Sequence, residues 1–200
     1  MNRPTRPHLG SRVSNDQFNG RVGFLRGRSV VVFGLWQIAK WMFFKTVFPW
    51  PSHVKVRLLR LFGAKIGSDV CIKPQVNIHI PWKLEVGDHA WIGEEAFILN
   101  FERVSIGAHA CISQRAFLCG GNHDFRDSAM SYRNGPITVC DGAWVGAQVF
   151  VAPGVTIGTD AVATAASVVL RDLPPGMVCS GNPCVPIKPR WREGGEAKGA

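Results

Sequence analysis

Aliphatic residues recur every six positions through the middle of the chain, in groups that keep one phase. A period of six fits neither a helix face, which repeats at about 3.6 residues, nor a single alternating strand, which repeats at about 2. It is the hexapeptide period of a parallel β-helix, in which three hexapeptides make one triangular coil. The seventeen positions are Ile66, Ile72, Ile78, Leu84, Val86, Ile92, Ile98, Val104, Ile106, Ile112, Leu118, Val139, Val145, Val151, Ile157, Ala163 and Val169.

Insertions into this repeat fall at one corner of the predicted coil. Extra residues follow Ile78, Ile98 and Leu118, and their numbers are 2, 2 and 15. Each insertion follows the third side of a coil, so all three lie at the same corner. Because repeat proteins build their binding faces on one side, we interpret this corner as the functional edge. The alternative is that insertions are tolerated wherever an earlier one has made room.

The pattern predicts one domain with three parts. Residues 1–65 form a basic arm and a helical cap, residues 66–172 form the β-helix with a loop at 119–136, and residues 173–200 form a closing segment and tail. Within the first part, Ser29–Phe48 is apolar and aromatic. Its longest run without a charge, Ser29–Ala39, is 11 residues, too short for the ~20 that span a bilayer.

We therefore expect a helix from Ser29 that lies on an apolar surface. Ser52 is expected to cap the N-terminus of a second, short helix that ends near Gly63. An open β-helix exposes strand edges at its ends, so these helices are predicted to cover the first coil. Peripheral membrane contact through residues 1–50 is a second possible use, because basic and aromatic side chains alternate there.

Charge is distributed unevenly along the chain. Residues 1–65 hold 12 Lys or Arg and a single acid, whereas residues 66–186 hold 7 basic and 11 acidic residues. A mildly acidic body argues against nucleic acid as a partner. The six Cys form no CxxC pair and the first 17 residues are not apolar, which favours a reduced, cytoplasmic protein.

The loop at 119–136 carries the candidate chemistry. It is polar and rich in Gly, and it includes His123. A His on a projecting loop has no core to stabilise, so we interpret His123 as functional; the alternative is an ordinary exposed His. His89 and His109 lie 20 residues apart and should stack on successive coils, but the sequence does not identify a third ligand for them, and no metal is expected.

Several stretches resemble a known family, the hexapeptide-repeat acyltransferases, whose fold is a left-handed parallel β-helix. The segments 91–95 and 104–124 resemble the colanic-acid-type acetyltransferases of exopolysaccharide assembly. The segments 141–147, 152–158, 171–175 and 181–184 resemble the maltose, galactoside and nodulation-factor O-acetyltransferases. The resemblance implies an all-β solenoid that winds as a left-handed helix. It would be an exception to the rule that connections between parallel strands are right-handed.

The resemblance also implies a set of site residues. His123 matches the general base of the family, and Trp144 matches the Trp beside the reactive end of the acetyl-CoA arm. Other contacts to acetyl-CoA match Ala147, Ala165, Arg171 and Lys188. The residue that orients His123, or that contacts the acceptor, is left open among Asn100, Asn122, Asp124 and Asp127.

The expected function is therefore transfer of an acetyl group from acetyl-CoA to a hydroxyl of a sugar or polysaccharide precursor. The family implies a homotrimer, with a saccharide as acceptor and acetyl-CoA as co-substrate. Two alternatives stay open, which are acetylation of serine or an amine on the same fold, and a non-catalytic β-helix that only binds. The expected location is the cytoplasm, with peripheral contact at the inner face of the membrane as an option.

Overall fold

The computed structural model describes residues 12–20 and 22–191. Within these residues, two α-helices, α1 (Val30–Phe43) and α2 (Ser52–Leu61), precede seventeen short strands. Two 3₁₀ turns, Asn15–Gln17 and Pro81–Lys83, lie before α1 and before β4. The strands are β1 (Lys65–Ile66), β2 (Cys71–Ile72), β3 (Asn77–Ile78), β4 (Leu84–Val86), β5 (Trp91–Ile92), β6 (Phe97–Leu99), β7 (Val104–Ile106), β8 (Cys111–Ile112), β9 (Phe117–Cys119), β10 (Ile137–Val139), β11 (Trp144–Val145), β12 (Phe150–Val151), β13 (Thr156–Ile157), β14 (Val162–Ala163), β15 (Val168–Val169), β16 (Met177–Gly181) and β17 (Cys184–Pro189).

Three parallel sheets form the sides of a triangular solenoid. The first sheet has the order β1-β4-β7-β10-β13, and the third has β15-β12-β9-β6-β3. The second sheet runs β17-β16-β14-β11-β8-β5-β2, and its last pair, β16 and β17, is antiparallel. Every third strand therefore returns to the same side, as the hexapeptide period predicts.

The core is the stack of aliphatic residues inside the solenoid. All seventeen repeat positions are buried. They lie in register from coil to coil, with Ile66 opposite Val86 and Val86 opposite Ile106 on the first side. Side chains at the neighbouring strand positions point outward, because successive residues of a strand face opposite ways.

Tight corners join the three sides, and their backbone requires residues with positive φ. At the corners on either side of the second sheet these are Asp69, Gln75, His89, Glu95, His109, Arg115, Gln148, Asp160 and Ala166, with φ between 51° and 59°. The coils also approach each other closely, since a Cβ at Gly87 would lie 2.4 Å from the N atom of Ala108. These corners leave little room for insertions, whereas the third corner accommodates the turn Pro81–Lys83 and the long loop.

The open edge of the first coil is capped on all three sides by side chains from the helices. Arg60 of α2 donates from Nη2 to the carbonyl of Ile66 at 2.8 Å on the first side. Lys55 donates from Nζ to the carbonyl of Ile72 at 3.0 Å on the second side. On the third side, the indole of Trp36 in α1 donates to the carbonyl of Ile78 at 3.2 Å. The predicted capping role of the helices thus has a direct hydrogen-bonding basis.

Lys55 is fully buried in this cap, and burial lowers the pKa of its amine.

The prediction that Ser52 caps the N-terminus of the second helix was wrong. Pro51 holds the cap position of α2, and no side chain caps that terminus. Instead, the Ser52 hydroxyl accepts a hydrogen bond at 3.0 Å from the N–H of Ile72, because the unpaired strand edge of β2 lies beside it. Gly63 ends the segment with a φ of 94°, as expected of a residue that follows a helix.

We predict that Trp36→Ala destabilises the protein by about 3–5 kcal/mol, because it empties a fully buried site and removes the donor to the strand edge. Trp41 of the same helix is 65 % exposed and provides the matched control. Its replacement by Ala should change the free energy of unfolding by no more than about 0.5 kcal/mol. Denaturant unfolding measures both values, and equal losses would show that α1 does not cap the solenoid.

Candidate functional site

The long loop leaves the solenoid at the third corner, after β9, and returns as β10. At its base, the N–H of Gly120 donates to the carbonyl of Leu99 at 2.8 Å, and the N–H of Gly135 donates to the carbonyl of Gly120 at 3.2 Å. Further out, the N–H of Arg133 donates to the carbonyl of Asn122 at 2.8 Å. The loop is thus a hydrogen-bonded projection that holds His123 outside the coil.

The imidazole of His123 has a defined orientation. Its Nδ1 lies 2.5 Å from the carbonyl oxygen of Met130. Because a carbonyl oxygen can only accept, Nδ1 carries the hydrogen, and in the neutral ring Nε2 holds the free lone pair. Nε2 is therefore the atom that can remove a proton from a bound group.

Asp127 fixes the carbonyl that orients this ring. Met130 has a φ of 51°, an unusual backbone conformation for a residue other than Gly. The Asp127 carboxylate accepts from the N–H of Ala129 at 3.0 Å and from the N–H of Ser131 at 3.3 Å, on either side of Met130. Hydrogen bonds from Ser131 and Ala129 lower the pKa of the Asp127 carboxyl below its usual value, so it stays ionised at neutral pH.

The other candidates for orienting His123 have different partners. Asn100 is fully buried in the preceding coil, where its Oδ1 accepts from the N–H of Ile80 at 2.8 Å. The Asp124 carboxylate accepts from the N–H of Arg126 at 3.0 Å. The side chain of Asn122 accepts from the backbone N–H of His123 at 2.8 Å. Sequence reasoning considered only side chains, so it missed the Met130 carbonyl.

Aromatic rings enclose His123. Tyr132 stacks on the imidazole with centroids 5.0 Å apart and an interplanar angle of 29°, and Phe18 packs on it in an edge-type arrangement with centroids 5.2 Å apart. Phe18 belongs to the segment before α1, which lies far from the loop in sequence. The composition of that segment gave no signal of this contact.

A second part of the site is a groove of about 270 Å³ at the corner between the second and third sheets. Trp144 on β11 borders the groove and is 46 % exposed, and its indole N–H donates to the Ser113 hydroxyl at 2.8 Å. Ala147 and Ala165 lie on the same wall. The structure therefore brings together three of the residues that the resemblance assigned to acetyl-CoA.

The remaining two residues of that set lie in different places. Lys188 is exposed on β17, on the second sheet, three strands beyond the strand of Trp144. Neighbouring strands lie about 4.8 Å apart, so Lys188 is roughly 14 Å from Trp144 across the sheet. Arg171 instead follows β15 at the third corner, on the same edge of the solenoid as the His123 loop.

Within one chain, the groove and the His123 loop therefore occupy different corners. The third sheet lies between them, and its outer surface carries aromatic side chains. Phe97 and Phe117 stack with centroids 4.8 Å apart, and Phe150 contacts Phe117 at 5.5 Å.

Two of the other histidines lie on successive coils of the solenoid. His89 and His109 stack with centroids 4.9 Å apart, which confirms the predicted stacking on successive coils. Among residues 12–20 and 22–191, no group of three or more His, Cys, Asp or Glu side chains is placed to hold a metal ion. In that same part of the chain, no helix has the length and apolarity needed to cross a membrane.

Comparison with known proteins identifies the family. The chain is 43 % identical over 169 residues to the candidate colanic acid biosynthesis acetyltransferase WcaF of Escherichia coli K12, covering 82 % of this chain and 91 % of that protein. The chain belongs to the hexapeptide-repeat acetyltransferases. It is also 30 % identical over 144 residues to the galactoside O-acetyltransferase of E. coli, covering 69 % of this chain and 70 % of that protein. No family model matches the sequence.

Solved structures of this family share the fold. The hexapeptide-repeat acetyltransferase VCA0836 of Vibrio cholerae, in complex with acetyl coenzyme A, superimposes with a TM-score of 0.68 at 26 % identity, covering 73 % of this chain and 81 % of that one. The predicted left-handed β-helix is confirmed, and so is the prediction that the protein is an acyltransferase.

Proposed function

We propose that this acetyltransferase transfers an acetyl group from acetyl-CoA to a hydroxyl group of a saccharide that serves as a polysaccharide precursor. The observation that carries the proposal is the orientation of His123, whose Nδ1 donates to the Met130 carbonyl and leaves Nε2 free to accept a proton. Support for the donor comes from the groove beside Trp144 and from the acetyl-CoA complex of the V. cholerae protein. Support for the acceptor comes from the names of the E. coli relatives.

The reaction follows from this geometry. Nε2 of His123 accepts the proton of the acceptor hydroxyl as its oxygen attacks the thioester carbonyl carbon. The C–S bond then breaks, the acetyl group stays on the sugar oxygen, and the proton held on Nε2 passes to the thiolate of coenzyme A. No covalent intermediate with the protein is needed, and the Met130 carbonyl stabilises the imidazolium that forms during the reaction.

The donor would lie along the groove, with its thioester end near Trp144. The apolar walls at Ala147 and Ala165 suit a narrow pantetheine arm, because small side chains let the ligand approach the backbone. Lys188 lies in the direction of the phosphate-bearing end. Arg171 would meet the donor only if the donor also contacts the third corner of a neighbouring copy.

We predict that His123→Asn lowers kcat by roughly 10²–10⁴-fold, because Asn can form hydrogen bonds but cannot act as the base. Binding of acetyl-CoA should stay close to the wild-type value, since the groove is lined by Trp144, Ala147 and Ala165 and not by His123. Thiol release with a panel of sugars, nucleotide sugars and amines measures these quantities.

The panel also distinguishes the acceptor class. Acetylation of amines or serine at rates above those of every sugar would contradict a saccharide acceptor. A His123→Asn enzyme that keeps more than about a tenth of wild-type kcat would contradict the general base.

The enzyme is further proposed to be a homotrimer whose site is shared between neighbouring chains. Two observations support it. The groove and the His123 loop lie at different corners of one chain, and the sheet between them presents an outer surface that includes Phe97, Phe117 and Phe150. A second copy that covers this surface would bury apolar area and place its own loop against the groove.

Complementation between two inactive variants tests the shared site. Ala165→Trp should fill the donor groove, and His123→Ala removes the base. If each site takes its loop from one chain and its groove from the next, hybrids assembled from equal amounts should recover about a quarter of wild-type activity. Each variant alone provides the control. Hybrid trimers without activity, or a monomer by light scattering at micromolar concentration, would contradict the shared site.

Peripheral contact of α1 with an anionic membrane surface is also part of the proposal. The side of α1 opposite Trp36 exposes a stripe of apolar residues, Val31, Leu35, Ile38 and Met42, with exposed fractions of 54 to 71 %. Capping the solenoid does not require this stripe. No acid occurs between Asp16 and Asp69, so both helices present only basic charges, which suits a negatively charged lipid surface.

We predict that Leu35→Glu and Ile38→Glu weaken binding to phosphatidylglycerol vesicles by about tenfold or more, because each places a charge on the face that would enter the headgroup layer. Binding of the wild type should fall with salt, since basic residues contribute about 1 kcal/mol each and are screened. Leu170→Glu, at a site 52 % exposed elsewhere in the chain, is the control in vesicle sedimentation. Loss of the oligomer in place of loss of lipid binding would assign this face to a neighbouring subunit.

A further inference from the structure

The segment before α1 is attached to the His123 loop along much of its length. We define this arm segment as residues 12–20 and 22–28. The N–H of Ser14 donates to the carbonyl of Ser128 at 2.9 Å. Asn134 donates from Nδ2 to the carbonyl of Gly23 at 3.2 Å. Two backbone groups of the arm segment are therefore bonded to two different parts of the loop.

The packing between the arm segment and Tyr132 is close. A Cβ at Gly23 would lie 3.2 Å from the Cβ of Tyr132, and Gly23 has a φ of 78°. Both facts favour glycine at this position. Phe18 completes the contact, with its ring at right angles to Tyr132 and centroids 5.2 Å apart.

The far end of the arm segment is anchored on the solenoid. Phe24 packs on Phe101 of the preceding coil, with centroids 4.7 Å apart. The indole N–H of Trp82 donates to the carbonyl of Arg26 at 2.6 Å. The arm segment thus joins the outer part of the loop to the rigid third corner, which the loop's own backbone does only at its base.

We propose that the arm segment is part of the active site and that Phe18 is a positioning residue for His123. The proposal rests on the proposed role of His123 as the base. Three contacts define the orientation of the imidazole, since Met130 accepts from Nδ1, Tyr132 covers one face and Phe18 packs against the ring at an angle of 65°. With Phe18 present, the ring cannot rotate away from Met130 without losing an aromatic contact, and Nε2 keeps the direction needed for proton transfer.

The test compares variants of the full-length enzyme. Phe18→Ala should lower kcat by about tenfold, because a small displacement of the base is costly, while the KM for acetyl-CoA changes by less than about twofold. Phe18→Tyr keeps the ring and should restore most of the activity. Leu25→Ala is the matched control, since Leu25 lies on the same arm segment but is 79 % exposed, and its kcat should equal that of the wild type.

Gly23→Ala provides a second route to the same effect. The added methyl group pushes the arm segment away from Tyr132 and leaves Phe18 itself unchanged, so kcat should fall in the same way as in Phe18→Ala. Thermal unfolding of each variant shows whether the fold is intact. Wild-type kcat in both Phe18→Ala and Gly23→Ala, with His123→Ala inactive, would overturn the proposal.

A spectroscopic measurement separates this proposal from the proposed function. Nitrogen NMR of labelled imidazoles should show the neutral ring of His123 with its hydrogen on Nδ1, and Phe18→Ala should shift the signal toward a mixture of the two tautomers. If His123→Ala is fully active, the general base is wrong, and the tautomer measurement still decides whether Phe18 positions the ring. An unchanged tautomer in Phe18→Ala would contradict positioning whatever the activities are.

Discussion

The hydrogen-bond register between successive coils is the constraint on which the rest of this structure depends. Each strand is only two to six residues long and is stable only because its backbone groups pair with the coils before and after it. The insertion after Leu118 has to obey the same register. Phe117 pairs with Phe97 before the loop, and Ile137 pairs with Val104 after it. The loop is therefore held at both ends by strands that cannot shift.

The same constraint explains how the open strand edges at the two ends of the solenoid are covered. At the first coil, no strand among the described residues precedes β1, β2 and β3, and the side chains of Arg60, Lys55 and Trp36 bond to their open edges instead. Burial of Lys55 carries a desolvation cost, which hydrogen bonds to the carbonyls of Ile72 and Lys73 offset. At the other end, β17 folds back on β16 as an antiparallel strand and covers the edge. Because α1 covers the first coil with the face that carries Trp36, its opposite, exposed face can contact a partner.

The solenoid and the long loop that projects from it hold the two halves of the proposed site apart. The groove beside Trp144 is built from corner residues of successive coils, so its shape is fixed by the solenoid. The His123 loop has its own hydrogen bonds, and its imidazole depends on contacts with Met130, Tyr132 and Phe18. The halves occupy different corners because they follow different strands of the coil. This separation is the physical reason to expect that a second chain completes the site.

The sequence by itself determined the coil, because a six-residue period of buried aliphatic residues has one compact solution, and the positions of the insertions identified the corner that carries His123. The resemblance to a known family, and not the period, named Trp144, Ala147 and Ala165 together, and the structure places all three at one groove. Tertiary structure alone decided which atom orients the imidazole. A backbone carbonyl, such as that of Met130, is present at every residue and leaves no mark in the sequence. Likewise, the contact of Phe18 with His123 joins segments about a hundred residues apart. Such contacts arise only when the chain has folded, since they depend on where distant segments meet in space and not on any local pattern.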